Sequence, residues 1–184
     1  MSKLNIQLAC QALEQGNIIA YPTEAVWGLG CDPHNEVAVN KILRLKDRPA
    51  HKGLILIAGS IGQFESLLGK LSVEQRDTLD ASWPGHITWL VPDPDQLIPN
   101  WIKGSHQSVA IRVSAHPVVQ ELCSTFAGPI VSTSANKAGE EEIRSRIILE
   151  EKFADKIAHI VDGELGQAAK PSEMRDLLSG NIIR

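Results

Sequence analysis

Hydrophobic residues follow two patterns along the chain, one with the spacing of an amphipathic helix and one made of short continuous runs. Helical spacing, with a polar residue able to cap the first turn, predicts helices between the runs. After the capping Asn35, we expect a helix that ends near Leu45, because Pro49 prevents its continuation. Its inward residues are predicted to be Ala38, Val39, Ile42 and Leu45. The other predicted helices cover 4–15, 60–68, 117–126, 147–155 and a segment from Ser72 to the Trp83-Pro84-Gly85 turn.

The continuous apolar runs are typical of buried strands, and the run 53–58 has the Leu and Ile density of a central one. The segment 23–30, which contains Gly28 and Gly30, is predicted to be a loop. Because helices and strands alternate, the fold class is α/β, and a late hairpin makes the sheet mixed, in a single domain over 1–184. Strands are expected at 18–21, 53–58, 86–91, 109–113, 130–133 and 159–161, with the hairpin at 174–184.

The composition is that of a globular protein, with 43% hydrophobic and 22% charged residues among 184. A formal charge of −4 argues against a protein whose whole surface binds nucleic acid. Cys10, Cys31 and Cys123 are odd in number and far apart, which predicts reduced thiols rather than disulfides or a zinc site. No apolar run approaches the ~18 residues of a membrane span, so we expect a cytoplasmic protein without membrane contact.

Positive charge is concentrated in residues 41–52, which hold five Lys or Arg and one Asp in an otherwise acidic chain. Lys46 and Arg48 lie at or just beyond the predicted end of a helix. Cations there can simply stabilise the helix C-terminus, by about 0.3–1 kcal/mol, so a structural role stays open. A Lys point charge beside an Arg fork also suits a phosphate. The segment therefore predicts an anion site.

Hydroxyl and amide groups occupy the end of the predicted strand 130–133 and continue beyond it, in the run Ser132-Thr133-Ser134-Ala135-Asn136. One interpretation is a turn in which Asn tolerates an unusual backbone conformation. The other is a set of hydrogen-bonding groups for a ligand, since open α/β sheets bind ligands at the carboxyl ends of their strands. The residues alone leave both interpretations open.

Arg112 lies between Ile111 and Val113 in a predicted strand, where a guanidinium is costly to bury unless an anion pairs with it. That anion is either a carboxylate of the protein or a carboxylate or phosphate of a ligand. The sequence leaves this choice open as well.

Several common functional motifs are missing from the sequence. Gly28-x-Gly30 lacks the third glycine of a dinucleotide fingerprint, and no phosphate-binding Gly-x-x-x-x-Gly-Lys loop occurs. There is no His-Glu-x-x-His motif, no calcium loop and no Gly-x-Ser-x-Gly turn. Composition and spacing thus predict an α/β protein with a phosphate-handling site.

Taken in order, the remaining motifs resemble the YrdC-like family of threonylcarbamoyl-AMP synthases, in particular its short, single-domain bacterial members. Each motif is weak alone, whereas the ordered set spans residues 18–176. The motifs are Tyr21-Pro22-Thr23-Glu24, Lys46-x-Arg48-Pro49, Trp83-Pro84-Gly85-x-x-Thr88, Ala110-Ile111-Arg112 with His116-Pro117, Ser132 to Asn136, and Pro171-Ser172.

The resemblance implies a twisted mixed sheet with a positively charged concave face and a nucleotidyltransferase activity. Family members form threonylcarbamoyl-AMP and pyrophosphate from L-threonine, bicarbonate and ATP, with Mg²⁺ bound mainly through the ATP phosphates. The product feeds N6-threonylcarbamoyladenosine formation at position 37 of tRNA. A tRNA threonylcarbamoyl-transferase complex is therefore an implied partner, and RNA or tRNA binding is a further implied property.

By motif position, the resemblance implies that Lys46 and Arg48 are catalytic and hold the ATP phosphates. It further implies ATP contacts for Ser132, Ser134, Asn136 and Ser172, and L-threonine contacts for Thr23 and Arg112. The chain departs from the family at Gly53, where Pro is common, at Ile57, where His is common, and at Glu173, where Thr is common. These departures concern the threonine pocket and the C-terminal nucleotide contact.

The alternative hypothesis is a non-enzymatic RNA-binding factor that acts in rRNA or ribosome maturation through the basic segment 41–52. Such a protein would bind RNA in a salt-dependent manner. The negative total charge favours the enzyme.

Overall fold

Eight strands form one sheet in the computed structural model, which describes residues 3–184. They are β1 (Ile19–Pro22), β2 (Trp27–Gly30), β3 (Ile55–Ala58), β4 (Ile87–Pro92), β5 (Ser108–Val113), β6 (Ile130–Ser134), β7 (His159–Ile160) and β8 (Glu173–Asp176). Their order is β7-β1-β2-β6-β3-β5-β4-β8. The pairs β1–β7, β3–β5 and β4–β8 are parallel and the other neighbours antiparallel, so the predicted mixed α/β sheet is confirmed.

Seven α-helices flank the sheet within the same residues, and most lie where the hydrophobic spacing predicts them. They are α1 (Lys3–Glu14), α2 (Glu36–Leu45), α3 (Glu65–Leu68), α4 (Val73–Asp80), α5 (Asn100–Lys103), α6 (Pro117–Phe126) and α7 (Arg146–Phe153). The predicted helix 60–68 is split into a 3₁₀ turn and α3, and α5 was not predicted, because four residues carry no periodic pattern. None of the helices in residues 3–184 is long and apolar enough to span a membrane.

The two ends of α2 follow from its sequence. Asn35 Oδ1 accepts a hydrogen bond from the Ala38 amide at 3.0 Å, which is the predicted cap. At the other end Asp47 has φ +50°, and the Arg48 amide donates back to Leu43 O at 2.9 Å. This turn places Lys46 and Arg48 just beyond the helix, as predicted. Leu45 packs against the larger apolar cluster, as expected for an inward residue, but it is only half-buried.

The segment predicted to be a loop at 23–30 contains a strand instead. β2 pairs with β1 on one side and with β6 on the other, so it is an inner strand of the sheet. Gly28 and Gly30 hide the alternation of side chains that normally marks a strand. The loop prediction was therefore wrong. The glycines are needed because the Tyr21 side chain of β1 lies close to them, and only the fold reveals that contact.

The predicted C-terminal hairpin forms around residues 177–181. Its second arm forms an isolated bridge between Ile182 and Arg175, and backbone hydrogen bonds join Met174 to Ile183 and Arg184. β8 takes its main pairing from β4, in parallel. The C-terminal segment is therefore attached to the edge of the main sheet.

The two faces of the sheet are covered to different extents. One face packs on the larger apolar cluster, which includes Leu56, Ile111 and residues of α2 and α4. The other face packs on α1 and α6 only around strand positions such as Ile57 and Ile130. Because side chains alternate along a strand, residues two positions away lie on the same face but beyond these helices. This uncovered half of the face forms the floor of a cleft.

Candidate active site

A cleft of about 1120 Å³ lies over the uncovered half of the sheet. Ser132, Ile55 and Ala110 stand in register on β6, β3 and β5 and line it from below. All eight residues that the sequence motifs single out also line this cleft. They are Thr23, Lys46, Arg48, Arg112, Ser132, Ser134, Asn136 and Ser172. The fold therefore gathers side chains from most of the chain into one place.

Lys46 is buried at the end of α2, and its ammonium group is bound to the loop after β6. Its Nζ donates to the backbone oxygens of Ser134 and Asn136 and, at 3.3 Å, to Asn136 Oδ1. An ammonium group has three hydrogens, and each has an acceptor here. A direct bond from Lys46 to a ligand would therefore replace one of these protein contacts.

The environment of Lys46 weakens its hold on a proton. Burial lowers the pKa of Lys46 to about 8, and the positive charge of Arg48 acts in the same direction, while Glu142 opposes both. A bound anion would raise this pKa again, because an opposite charge favours the ammonium form.

Ser134 and Asn136 form a hydrogen-bonded turn at the end of β6. Ser134 Oγ donates to Asn136 Oδ1 at 2.5 Å, and Asn136 Nδ2 donates to the backbone oxygens of Lys137 and Glu140. Asn136 thus anchors the turn through its side chain, and it is not among the described residues with positive φ. Both side chains nevertheless line the cleft, so the two interpretations of this run are compatible.

Arg48 is held by the backbone ahead of β3. Its Nε and Nη2 donate to Gly53 O at 3.0 and 2.8 Å, and Nη1 has no hydrogen-bond acceptor within residues 3–184. Gly53 has φ +61°, and a Cβ there would lie 2.8 Å from Ile102 O, so only glycine fits. Burial lowers the pKa of Arg48, and the nearby guanidinium of Arg184 lowers it further. Within residues 3–184 neither Arg48 nor Arg184 forms a salt bridge. Two such neighbouring cations are suited to bind an anion between them.

Arg112 is paired with a carboxylate of the protein. Its Nη1 lies 2.8 Å from Glu24 Oε2, and Ser114 Oγ donates to Glu24 Oε1 at 2.6 Å. Burial acts to raise the pKa of Glu24, but Arg112 and the Ser114 hydroxyl outweigh it and hold the pKa below its usual value. Nη1 also lies 3.3 Å from His86 Nδ1. Nε and Nη2 of Arg112 have no acceptor in the described part of the chain, so they can still bind a ligand carboxylate.

Thr23 and Ser172 have hydroxyl groups that are already bonded to the protein. Thr23 Oγ1 donates to Val26 O at 2.7 Å, so toward a ligand this oxygen can act only as an acceptor. Ser172 Oγ lies 2.8 Å from Thr88 Oγ1, and either hydroxyl can be the donor. Their burial fixes both oxygens in position.

Some cleft residues carry no pattern that the sequence would reveal. Arg184 follows an apolar pair, and Lys103 belongs to the short helix α5, where its Nζ forms a buried ion pair with Asp93 Oδ2 at 2.7 Å. His86 Nε2 lies 2.7 Å from Lys170 O and ties the segment before Ser172 to β4. Their separation along the chain explains why only the fold associates them with the motif residues.

The donor atoms of the cleft do not form a metal cage. Residues 3–184 contain no group of three or more His, Cys, Asp or Glu side chains that could hold a metal ion. Mg²⁺ in nucleotide enzymes typically keeps water ligands and binds through phosphates with one or two carboxylates.

The chain belongs to the Sua5/YciO/YrdC family, because the family model described as "Telomere recombination" matches residues 11–184. Its curated relatives include proteins named threonylcarbamoyl-AMP synthase. The one from Hahella chejuensis is 50% identical over 100% of both chains. The one from Pseudomonas aeruginosa is 50% identical over 100% of this chain and 98% of its own. The family resemblance read from the motifs is thus confirmed.

Solved structures agree on the fold. P. abyssi Sua5 complexed with L-threonine superposes with a TM-score of 0.91 at 31% identity, over 100% of this chain and 54% of that one. The present chain is thus similar to about half of Sua5. E. coli YciO, with a TM-score of 0.82 and 22% identity, covers 95% of this chain and 84% of its own, and shows the fold alone.

Proposed function

We propose that this protein is an enzyme that forms threonylcarbamoyl-AMP and pyrophosphate from L-threonine, bicarbonate and ATP. This reaction is the first step of N6-threonylcarbamoyladenosine formation in tRNA. The observation that carries the proposal is the single cleft that gathers all eight motif residues, in a chain 50% identical over its full length to proteins named for this product.

The chemistry requires two anions to meet. Threonine amine and bicarbonate give a carbamate and water, and a carbamate oxygen then attacks the α-phosphorus of ATP while pyrophosphate leaves from the opposite side. Repulsion between carbamate and polyphosphate opposes this approach, and buried cations offset it while the cleft holds the reactants in line. No covalent nucleophile is needed. Mg²⁺ is part of the substrate, bound to the ATP phosphates, and neutralises a share of their charge.

The cations divide the cleft into two regions. Arg48 and Arg184, which have no carboxylate partner within residues 3–184, are assigned to the phosphates of ATP. Lys46 is assigned to the same region through the turn of Ser134 and Asn136, which it holds in place. Ser132 lies beside them and Ser172 is assigned to the nucleotide by motif position.

Arg112 and Thr23 are assigned to L-threonine. The unoccupied donors of Arg112 suit a carboxylate, and Thr23 Oγ1 suits the amino or hydroxyl hydrogens of the amino acid. Ile57, where the family often has His, is fully buried in the apolar cluster formed with α1 and α6 and does not line the cleft. Gly53 is needed for the close approach of α5. Neither departure removes a group from the assignments above.

The product is a labile mixed anhydride, so we propose direct consumption by a tRNA threonylcarbamoyl-transferase complex. The non-enzymatic RNA-binding alternative loses its main motivation because Lys46 and Arg48 are directed into the cleft, away from the outer surface on which Lys41 and Arg44 lie. Binding of tRNA by the remaining exposed cations would be weak and salt-dependent.

The test is pyrophosphate release by the purified protein, with each substrate omitted in turn. We expect release that requires both L-threonine and bicarbonate, and threonylcarbamoyl-AMP as a product detected by mass spectrometry. The Arg48→Ala variant, prepared identically, controls for contaminating ATPases. Release that persists without threonine would contradict the proposal.

A further inference from the structure

Tyr21, the one tyrosine of the chain, lies at the border between the covered and uncovered halves of the sheet face. Its side chain is fully buried in the apolar cluster formed with α1 and α6. Its hydroxyl reaches across β2 and donates to Ser132 Oγ at 2.7 Å. A buried tyrosine normally has a partner for its hydroxyl, but this partner lines the cleft. The bond therefore links the apolar layer to the candidate site.

Two glycines of β2 make room for the tyrosine ring. Gly28 and Gly30 are two positions apart, so they present the same face of the strand. A Cβ on Gly28 would lie 3.2 Å from Tyr21 Cζ, and one on Gly30 would lie 2.9 Å from Tyr21 Cε1. The Gly-x-Gly pair thus forms a slot that lets the ring cross the strand.

The direction of this bond determines what Ser132 can offer a ligand. Burial raises the pKa of the Tyr21 phenol well above its usual value, so the phenol stays protonated and remains a donor. Ser132 Oγ accepts that hydrogen, and its own hydroxyl hydrogen has no acceptor within residues 3–184. Hydrogen bonds in a chain polarise one another, which makes a hydroxyl that already accepts a stronger donor.

We propose that Tyr21 is a positioning residue that commits Ser132 to donate its hydrogen to an anionic oxygen of the substrates. The oxygen belongs either to the α-phosphate of ATP or to the carbamate that attacks it. For the identity of these anions the inference rests on the proposed function. Without the phenol, Ser132 Oγ is free to rotate and to accept hydrogens from water instead.

The Tyr21→Phe variant tests this role, because it keeps the ring in its slot and removes only the hydroxyl. A hydrogen bond to a charged group contributes enough that its loss should lower kcat/KM about tenfold. Ser132→Ala should give a similar loss, and the double variant should lose no more than Ser132→Ala alone, since the phenol acts only through the Ser132 hydroxyl.

Calorimetric titration with ATP distinguishes the two sources of the oxygen. Weaker ATP binding by Tyr21→Phe assigns the oxygen to the α-phosphate. Unchanged ATP binding with a lower kcat at saturating threonine and bicarbonate assigns it to the carbamate. Either result supports the positioning role.

Ser82→Ala is the matched control, because it also removes a serine hydroxyl bonded to a buried aromatic side chain. Trp89 Nε1 donates to Ser82 Oγ at 2.9 Å, and Ser82 does not line the cleft. We expect this variant to lose some thermal stability and to keep wild-type kinetics. Wild-type kcat/KM and ATP affinity in Tyr21→Phe, or losses that multiply in the double variant, would overturn the inference.

The wild-type protein separates this inference from the proposed function. If it releases no threonine-dependent pyrophosphate, the proposed function fails, and ATP affinity alone then decides about Tyr21. Weaker ATP binding by Tyr21→Phe would still support the link to Ser132, and unchanged binding would overturn it.

Discussion

The covered and uncovered halves of one sheet face use the same strands for different purposes. On β6, Ile130 is fully buried beneath α1 and α6, whereas Ser132 and Ser134, on the same face, line the cleft. On β3, Ile57 is fully buried and Ile55 lines the cleft. The backbone pairing runs unbroken through both halves. Residues two positions apart on one strand therefore either stabilise the fold or line the cleft. Which of the two they do depends on the side-chain type and on where α1 and α6 end.

The largest effect is expected when a buried side chain in the covered half of the sheet face is truncated. Ile130→Ala removes a fully buried side chain and should cost about 3 kcal/mol of the free energy of unfolding, through lost burial and a residual cavity. Kinetics at a temperature where the variant stays folded should be near wild type. Urea denaturation and steady-state rates measure the two quantities.

Ser134→Ala is the matched change in the uncovered half, because Ser134 lies four residues after Ile130 on the same face of β6. It should change stability by no more than about 1 kcal/mol and lower kcat/KM about tenfold. If Ile130→Ala impairs catalysis more than Ser134→Ala does, the division between the halves is wrong.

The next largest effect is expected at Arg48, a cation of the cleft with no salt bridge within residues 3–184. Arg48→Ala should lower kcat/KM by roughly ten- to a hundredfold, because a hydrogen bond to a charged group is worth ~1.5–3 kcal/mol. Arg44→Ala is the control from the same basic segment. Arg44 is exposed and its Nε bonds only Asn40 O, so its loss should leave kcat/KM within about twofold. Equal losses would place the phosphates outside the cleft.

A smaller effect is expected from pH through Lys46. Its pKa of about 8 in the free protein means that the ammonium charge is present below pH 8 and is lost above it. A bound polyphosphate raises that pKa, so ATP binding near pH 8 should take up a proton, and affinity should fall up to about tenfold from pH 7 to 9. Calorimetry in buffers of different ionisation enthalpy measures the uptake. Proton release at pH 8 would contradict this sign.

The smallest effect is expected at Arg112, whose neighbour in register on β3 is the covered Ile57. Arg112→Lys keeps a cation for Glu24 but loses the planar fork, so the KM for L-threonine should rise about fivefold. The KM for ATP should stay unchanged. Steady-state kinetics with each substrate varied separately gives both values, and an equal rise for ATP would move Arg112 into the phosphate region.

Local features of the sequence predicted much of the fold. Asn35 and the His116-Pro117 start define the two best-predicted helices, because capping groups and helical spacing act over a few neighbouring residues. β2 was missed for the opposite reason. Its glycines are explained by the ring of Tyr21 on another strand, and no local pattern contains that ring.

The candidate site was predictable as a set of residues and unpredictable as a set of contacts. The motifs identified Lys46, Arg112 and Ser132, and the family resemblance supplied their implied roles. That Lys46 is bound to the β6 turn, that Arg112 is paired with Glu24 and that Ser132 accepts from Tyr21 could not be read from the chain. Each of these bonds joins residues about 90 or more positions apart.

By itself the sequence determined the helices, most strands, the α/β class and the family, since these depend on short-range spacing and on ordered motifs. Only the tertiary structure decided which half of the sheet face is open, which donors are still free for a ligand, and why two glycines lie in β2. The physical reason is that burial and hydrogen-bond satisfaction depend on what lies nearby in space. Strand order brings Tyr21 beside Ser132, and no pattern along the chain predicts that contact.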